Sequence, residues 1–237
     1  MGLDVYVGSL TRYFLHQWET VIQKYARENG LTCEIVRPPG CKLEDPPPEP
    51  ASVRESVIAW RDSLAQGLSS HPIEFPEWDE SDASPYFTDK PAWDCYACLL
   101  MKAAYDEHPE LRCPEKSTDD WDKDPAWLAS TADGYRTGYA QLLFPELWLP
   151  WSFNFVFQAQ DLSGTKVWIG SSPKLLEQLS ALNKRAFHAG EDQFRAWRAA
   201  GSEYGGPFDI AAQFGFAILW ELASQAVLHN LPIKLDY

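Results

Sequence analysis

Basic residues are scarce in this chain of 237 residues: 20 Lys and Arg stand against 34 Asp and Glu, a formal net charge of −14. A chain so short of cations repels phosphate backbones, which excludes nucleic acid as a partner. Long apolar runs are missing as well, since none approaches the ~18 residues that suggest a membrane span. The opening "MGLDVYVGSLTRY" has no basic region leading into an apolar one, as a secretory leader would. The expectation is a cytoplasmic protein with no membrane contact. Cysteine is sparse and odd in number, at Cys33, Cys41, Cys95, Cys98 and Cys113. A chain of this size needs no disulfide staples, so these read as thiols in a reducing compartment. Also absent are the Gly-x-Ser-x-Gly elbow, His-Glu-x-x-His and Gly-x-Gly-x-x-Gly. Their absence weighs against an enzyme, and no cofactor is expected.

What the chain does have is concentrated in its middle. Between Ile73 and Asp124 fifteen acids face five bases, a net charge of −10. The same stretch carries Phe75, Trp78, Tyr86, Phe87, Trp93, Tyr96, Tyr105 and Trp121. Acidic segments that stay disordered are poor in aromatics, so this one is expected to fold.

Hydrophobic periodicity outlines an α+β protein, one helix-rich domain over residues 1–237 with a small sheet. "LDVYVG" at Leu3 to Gly8 reads as an N-terminal strand. A helix follows, with Phe14, Trp18, Val21, Ile22 and Tyr25 on one face and Gly30 as its stop. "LTCEIVR" reads as a second strand, and residues 38–50 as a proline-rich loop too short to separate domains. Ser52 and Glu55 have capping-box spacing ahead of Val57, Ile58, Leu64 and Leu68. "WSFNFVFQAQ" and "TKVWIGS", joined by Asp161 to Gly164, predict a hairpin near 151–171. Ser172 as N-cap and Pro173 at the first helical position start the next helix, with Leu175, Leu176, Leu179 and Leu182 buried. Helices over Glu191 to Ala199 and Phe208 to His229 follow, and "LPIKLDY" closes the chain as a strand.

Three constellations have chemistry in them. "DCYACLLMKAAYDEHPELRC" spaces Cys95, Cys98, His108 and Cys113 in a way that resembles a zinc site. The stretch also reads as a helix, which would hold Cys95 and His108 ~20 Å apart. Zinc needs the helix to unwind before Tyr105; otherwise the cysteines pack as small hydrophobes. Gly170, Ser171 and Ser172 precede a helix whose first amides suit an anion, with plain capping as the other reading. Glu221, Gln225 and His229 step by four along the last long helix, where Glu221 and His229 would flank one pocket, or merely line a solvated face. "DDWDKD" at Asp119 to Asp124 lacks the glycine and final Glu of a calcium loop and reads as an acidic turn.

The stretches "MGLDVYVGSLTRY", "PYFTDKPAWDCYACL", "ELWLPWSFNFVF", "GSSPKLLEQL" and "LPIKLDY" together resemble a set of stand-alone bacterial proteins of uncharacterised function. The resemblance spans nearly the whole chain. It implies a bacterial, cytoplasmic protein and brings no catalytic residue or substrate.

Two functions fit these residues. One is a binding or inhibitor module, like a bacterial immunity protein, whose acidic aromatic surface takes a basic protein partner. Its recognition residues are expected in "FPEWDESDASPYF": Trp78, Asp79, Glu80, Asp82, Tyr86 and Phe87. The alternative is a small hydrolase, glycosidase-like in its carboxylates and eleven tryptophans, using Glu221 and His229 or acids of the same loop.

Overall fold

Alternating valine and tyrosine suits Asp4–Val7 to a strand buried on both faces, and it forms β1 near the middle of a six-stranded sheet. The computed structural model describes residues 3–32, 48–117, 120–134 and 136–237. After β1 come α1 (Leu10–Phe14), α2 (Val21–Glu28), α3 (Pro50–Gly67), β2 (Phe87–Asp89) and α4 (Trp93–Glu107). Next are α5 (Pro125–Ala132), α6 (Ala140–Leu143), β3 (Leu147–Leu149), β4 (Phe157–Gln160) and β5 (Lys166–Ser171). The chain ends with α7 (Ser172–Leu182), α8 (Glu191–Ala200), α9 (Phe208–His229) and β6 (Ile233–Asp236). The α+β class, the N-terminal and C-terminal strands and the hairpin of β4 with β5 follow the sequence pattern.

Strand order is β2-β1-β6-β3-β5-β4, with β3 and β5 parallel and every other pair antiparallel. The terminal strands therefore lie side by side inside the sheet, Val5 opposite Leu235 and Val7 opposite Ile233. Side-chain alternation then divides the interior in two. Val5, Val7, Trp148, Ile233 and Leu235 join the apolar faces of α4, α7 and α9. Leu147, Leu149, Val167 and Ile169 belong to a second core with Leu10, Val57, Trp78 and Trp151. The sheet is thus covered by long helices on one face, and by α1, α3 and the segment 73–86 on the other.

Helix α9 is long and apolar enough to cross a membrane by length and composition, but 56% of its most apolar window is buried inside the protein. It packs there against α4, α7 and α8 as a core helix. Gly215 lets α9 lie close against α4, because a Cβ there would stand 2.5 Å from the Cys95 carbonyl oxygen.

Several local expectations change. The first helix is broken in two: His16 takes a left-handed φ of 53°, and Thr20 restarts the chain with a capping box to Gln23. Val21, Ile22 and Tyr25 consequently face outward rather than into the core. Helix α3 starts at Pro50 after Glu49, so Ser52 and Glu55 lie inside it and form no capping box. Ser171, not Ser172, is the N-cap of α7. The strand expected over "LTCEIVR" and the loop over 38–50 fall mostly on residues 33–47, outside the described residues.

Candidate functional site

The segment 73–86 has no regular structure, yet its ties to the fold are numerous. Trp78 is 3% exposed, its ring 5.6 Å from that of Trp151, and Phe75 meets Trp151 edge-on at 4.9 Å. The Trp151 indole N–H donates to the Pro76 carbonyl at 3.1 Å, and Asn230 Nδ2 to the Glu77 carbonyl at 2.9 Å. Glu80, 6% exposed, accepts the Leu10 and Thr11 amides at 3.0 and 2.7 Å, together with the Trp78 indole N–H. Those two amides open α1, so a carboxylate placed there completes a helix N-terminus and meets the positive end of its dipole. Arg54 Nε donates to the Glu80 carbonyl at 2.9 Å, and Arg12 Nη1 to the Ser84 carbonyl at 2.6 Å.

This arrangement sorts the expected recognition residues by face. Trp78 and Glu80 point inward and hold the segment, which corrects the expectation of an exposed indole anchor. Tyr86 is partly covered, stacked 6.2 Å from Tyr6 with the Arg12 guanidinium 4.9 Å over its ring. Phe87 is in β2 opposite Val7, half-buried beside the His229 ring at 5.3 Å. Asp79 and Asp82 remain outside, with Glu74 and Glu77. Asp79 folds back on Ser81, accepting its amide at 2.8 Å and its hydroxyl at 2.9 Å, which fixes the turn.

Between this segment and α3 runs an open groove of about 490 Å³. Trp78 and Ile58 supply apolar lining, Arg54 and Arg61 the cations, and Glu77, Asp79, Glu80 and Ser81 the far wall. Arg61 is a residue that the sequence reading missed. It stands four positions after Val57 on the buried stripe of α3, and a cation on such a stripe was the available signal. Its guanidinium is 5.5 Å from the Trp78 ring, with Nε 3.3 Å from Asp62 Oδ1 and Nη2 3.5 Å from Glu77 Oε1.

The other constellations fall elsewhere. Cys95 and Cys98 are buried in the first turns of α4 and His108 ends it, so the helix does not unwind before Tyr105. Among the described residues no group of three His, Cys, Asp or Glu is placed to hold a metal. Cys95, Cys98 and Cys113 share an apolar cluster with Met101 and Phe208. Burial pushes the Cys95 and Cys113 thiols up to about 11 and the Cys98 thiol up to about 12. Ser171 and Ser172 are fully buried: the Ser171 amide donates to Gln141 Oε1 at 2.7 Å, and its hydroxyl to the Trp151 carbonyl at 2.7 Å. A Cβ at Gly170 would collide with Gln141 as well, so the expected anion cradle of Gly170, Ser171 and Ser172 is closed by the protein's own side chain. In the acidic turn, Asp124 caps α5 by accepting the Ala126 amide at 2.8 Å and also takes the Tyr105 hydroxyl at 2.8 Å; Asp119 lies outside the described residues.

Glu221 and His229 are not brought together. Eight residues of α9 separate them by about 12 Å along its axis. Glu221 lines a 230 Å³ cleft between α8 and α9 with Glu191, Arg195, Arg198 and Trp220, and accepts Gln225 Nε2 at 2.9 Å. His229 instead packs on Phe87. The chain matches no family model, no curated protein and no solved structure.

Proposed function

We propose that this chain is an acidic binding module that takes a basic protein partner across the segment 73–86 and the groove beside it. The observation that carries the reading is the division of labour along the segment. Trp78 and Glu80 bind it to the fold, leaving Glu74, Glu77, Asp79 and Asp82 exposed, with Glu77 and Asp79 at the groove's edge. A surface fixed in advance loses little conformational freedom on binding, and carboxylates of one sign steer a cationic partner toward it. A reducing, cytoplasmic setting belongs to the same reading, with Cys95, Cys98 and Cys113 kept as thiols.

The test starts with recovery of a basic protein from host lysate at low salt and proceeds to binding kinetics. Combining Glu77→Gln, Asp79→Asn and Asp82→Asn should slow association by about tenfold at low salt and flatten its salt dependence, with dissociation little changed. Recovery of no basic protein, or equal association rates for wild type and the triple variant, would overturn the reading.

A further inference from the structure

The groove's edge is negative, but its floor is not. Arg61, at only 7% side-chain exposure, is among the most deeply placed cations in the described residues, and it lines the groove. A guanidinium stays charged at any physiological pH and offers five donors. Arg61 engages Nε with Asp62 and Nη2 with Glu77, both at 3.3 Å or more, and no hydrogen bond involves Nη1 among the described residues. Those two carboxylates are 64% and 82% exposed, so both keep their hydration while the cation between them has lost most of its own. Glu80 adds a carboxylate to the same groove, but its oxygens accept the α1 amides and the Trp78 indole, and it makes no ion pair with Arg61 among the described residues. Arg54 faces the same groove two helical turns away, its Nε and Nη2 committed to the Glu80 carbonyl and Asp82.

A partner that covered this surface with cations alone would strip the remaining water from Arg61 and compete with it for Asp62 and Glu77. Resting on the acidic-module reading, we infer that the recognised segment of the partner carries a carboxylate side chain, flanked by basic residues, that enters the groove and pairs with Arg61. The acids lie on both sides of Arg61, with Asp62 on α3 and Glu77 and Asp79 on the opposite wall. That arrangement suits an internal Asp or Glu with bases before and after it. A chain terminus would present bases from one side only. Arg61 thereby sets specificity, as the buried cation of the groove that disfavours a uniformly basic sequence.

Calorimetric titration with three lysine-rich peptides tests this: one with a central Glu and an amidated end, one with a central Gln and an amidated end, and one with a central Gln and a free carboxyl terminus. Wild type should bind the Glu peptide about tenfold tighter than the amidated Gln peptide, and Arg61→Met should erase that difference while still binding both. Circular dichroism checks that Arg61→Met folds. Should it not, Arg61→Lys, which keeps the charge but loses the fork, should shrink the preference. Equal affinity of wild type for the Glu and amidated Gln peptides, or a preference that survives at Arg61→Met, sinks the inference and leaves the acidic module standing. A free-terminus peptide as tight as the Glu peptide overturns the internal side chain as the source. Binding of none of the three to wild type removes the module reading and this inference together.

Discussion

Trp78 shows how one residue's environment overrides its neighbours in sequence. Flanked by Glu77, Asp79 and Glu80, it has the surroundings of a surface residue, yet it lies against Trp151 in the second core. Its indole N–H goes to Glu80, so the buried ring leaves no polar atom unsatisfied. Trp78→Ala should therefore cost about 3–5 kcal/mol, the range for emptying a large aromatic site, read as a lower urea midpoint at unchanged slope. A loss below ~1 kcal/mol would return Trp78 to the surface and reopen it as a recognition anchor. Asp79, one position along, is exposed, and its substitution should show in association kinetics while leaving stability nearly unchanged.

At the scale of elements, the contact between α4 and α9 carries the clearest constraint. Gly215 is in the middle of α9, where alanine would ordinarily favour a helix by about 1 kcal/mol. Here the added Cβ would stand 2.5 Å from the Cys95 carbonyl oxygen, which is backbone and cannot swing aside. Gly215→Ala should accordingly destabilise the protein by about 1–3 kcal/mol, as overpacking does, and a rise in thermal midpoint would show that the helices separate freely. Periodicity located α9 residue for residue, because a long run of strong apolar positions between proline-containing flanks leaves one register. The same approach ran α1 and α2 together. Their apolar residues are in helical phase, and only the left-handed turn at His16 and the cap at Thr20 separate them.

For the whole molecule, the packing of α4 against α9 covers three thiols, and this gives stability a pH limit. The thiols of Cys95, Cys98 and Cys113 ordinarily titrate near 9.0, and burial raises them to about 11 or 12. A thiol raised in the folded state keeps its proton there after the unfolded chain has released it. Its contribution is complete below about pH 9 and is lost as pH climbs toward about 11 to 12. Urea midpoints should hold steady up to about pH 9 and then decline, with a shallower decline in Cys98→Ala; a midpoint that rises over that interval would contradict the buried thiols.

Composition and pattern alone determined the class of the fold, the terminal strands, the hairpin, the long helices and the acidic bias of the middle segment. Each depends on neighbours in sequence: alternation, helical phase, turn residues and summed charge. They could not determine which carboxylate of "EWDE" faces water, or that Gln141 closes the helix start at Ser171, or that Arg61 lies under Glu77. Glu80 reaches amides seventy positions away at Leu10, and Gln141 reaches thirty positions to Ser171. Only tertiary packing decided these, because a buried polar group takes whichever partner the fold brings within hydrogen-bond distance, and that distance is unrelated to separation along the chain.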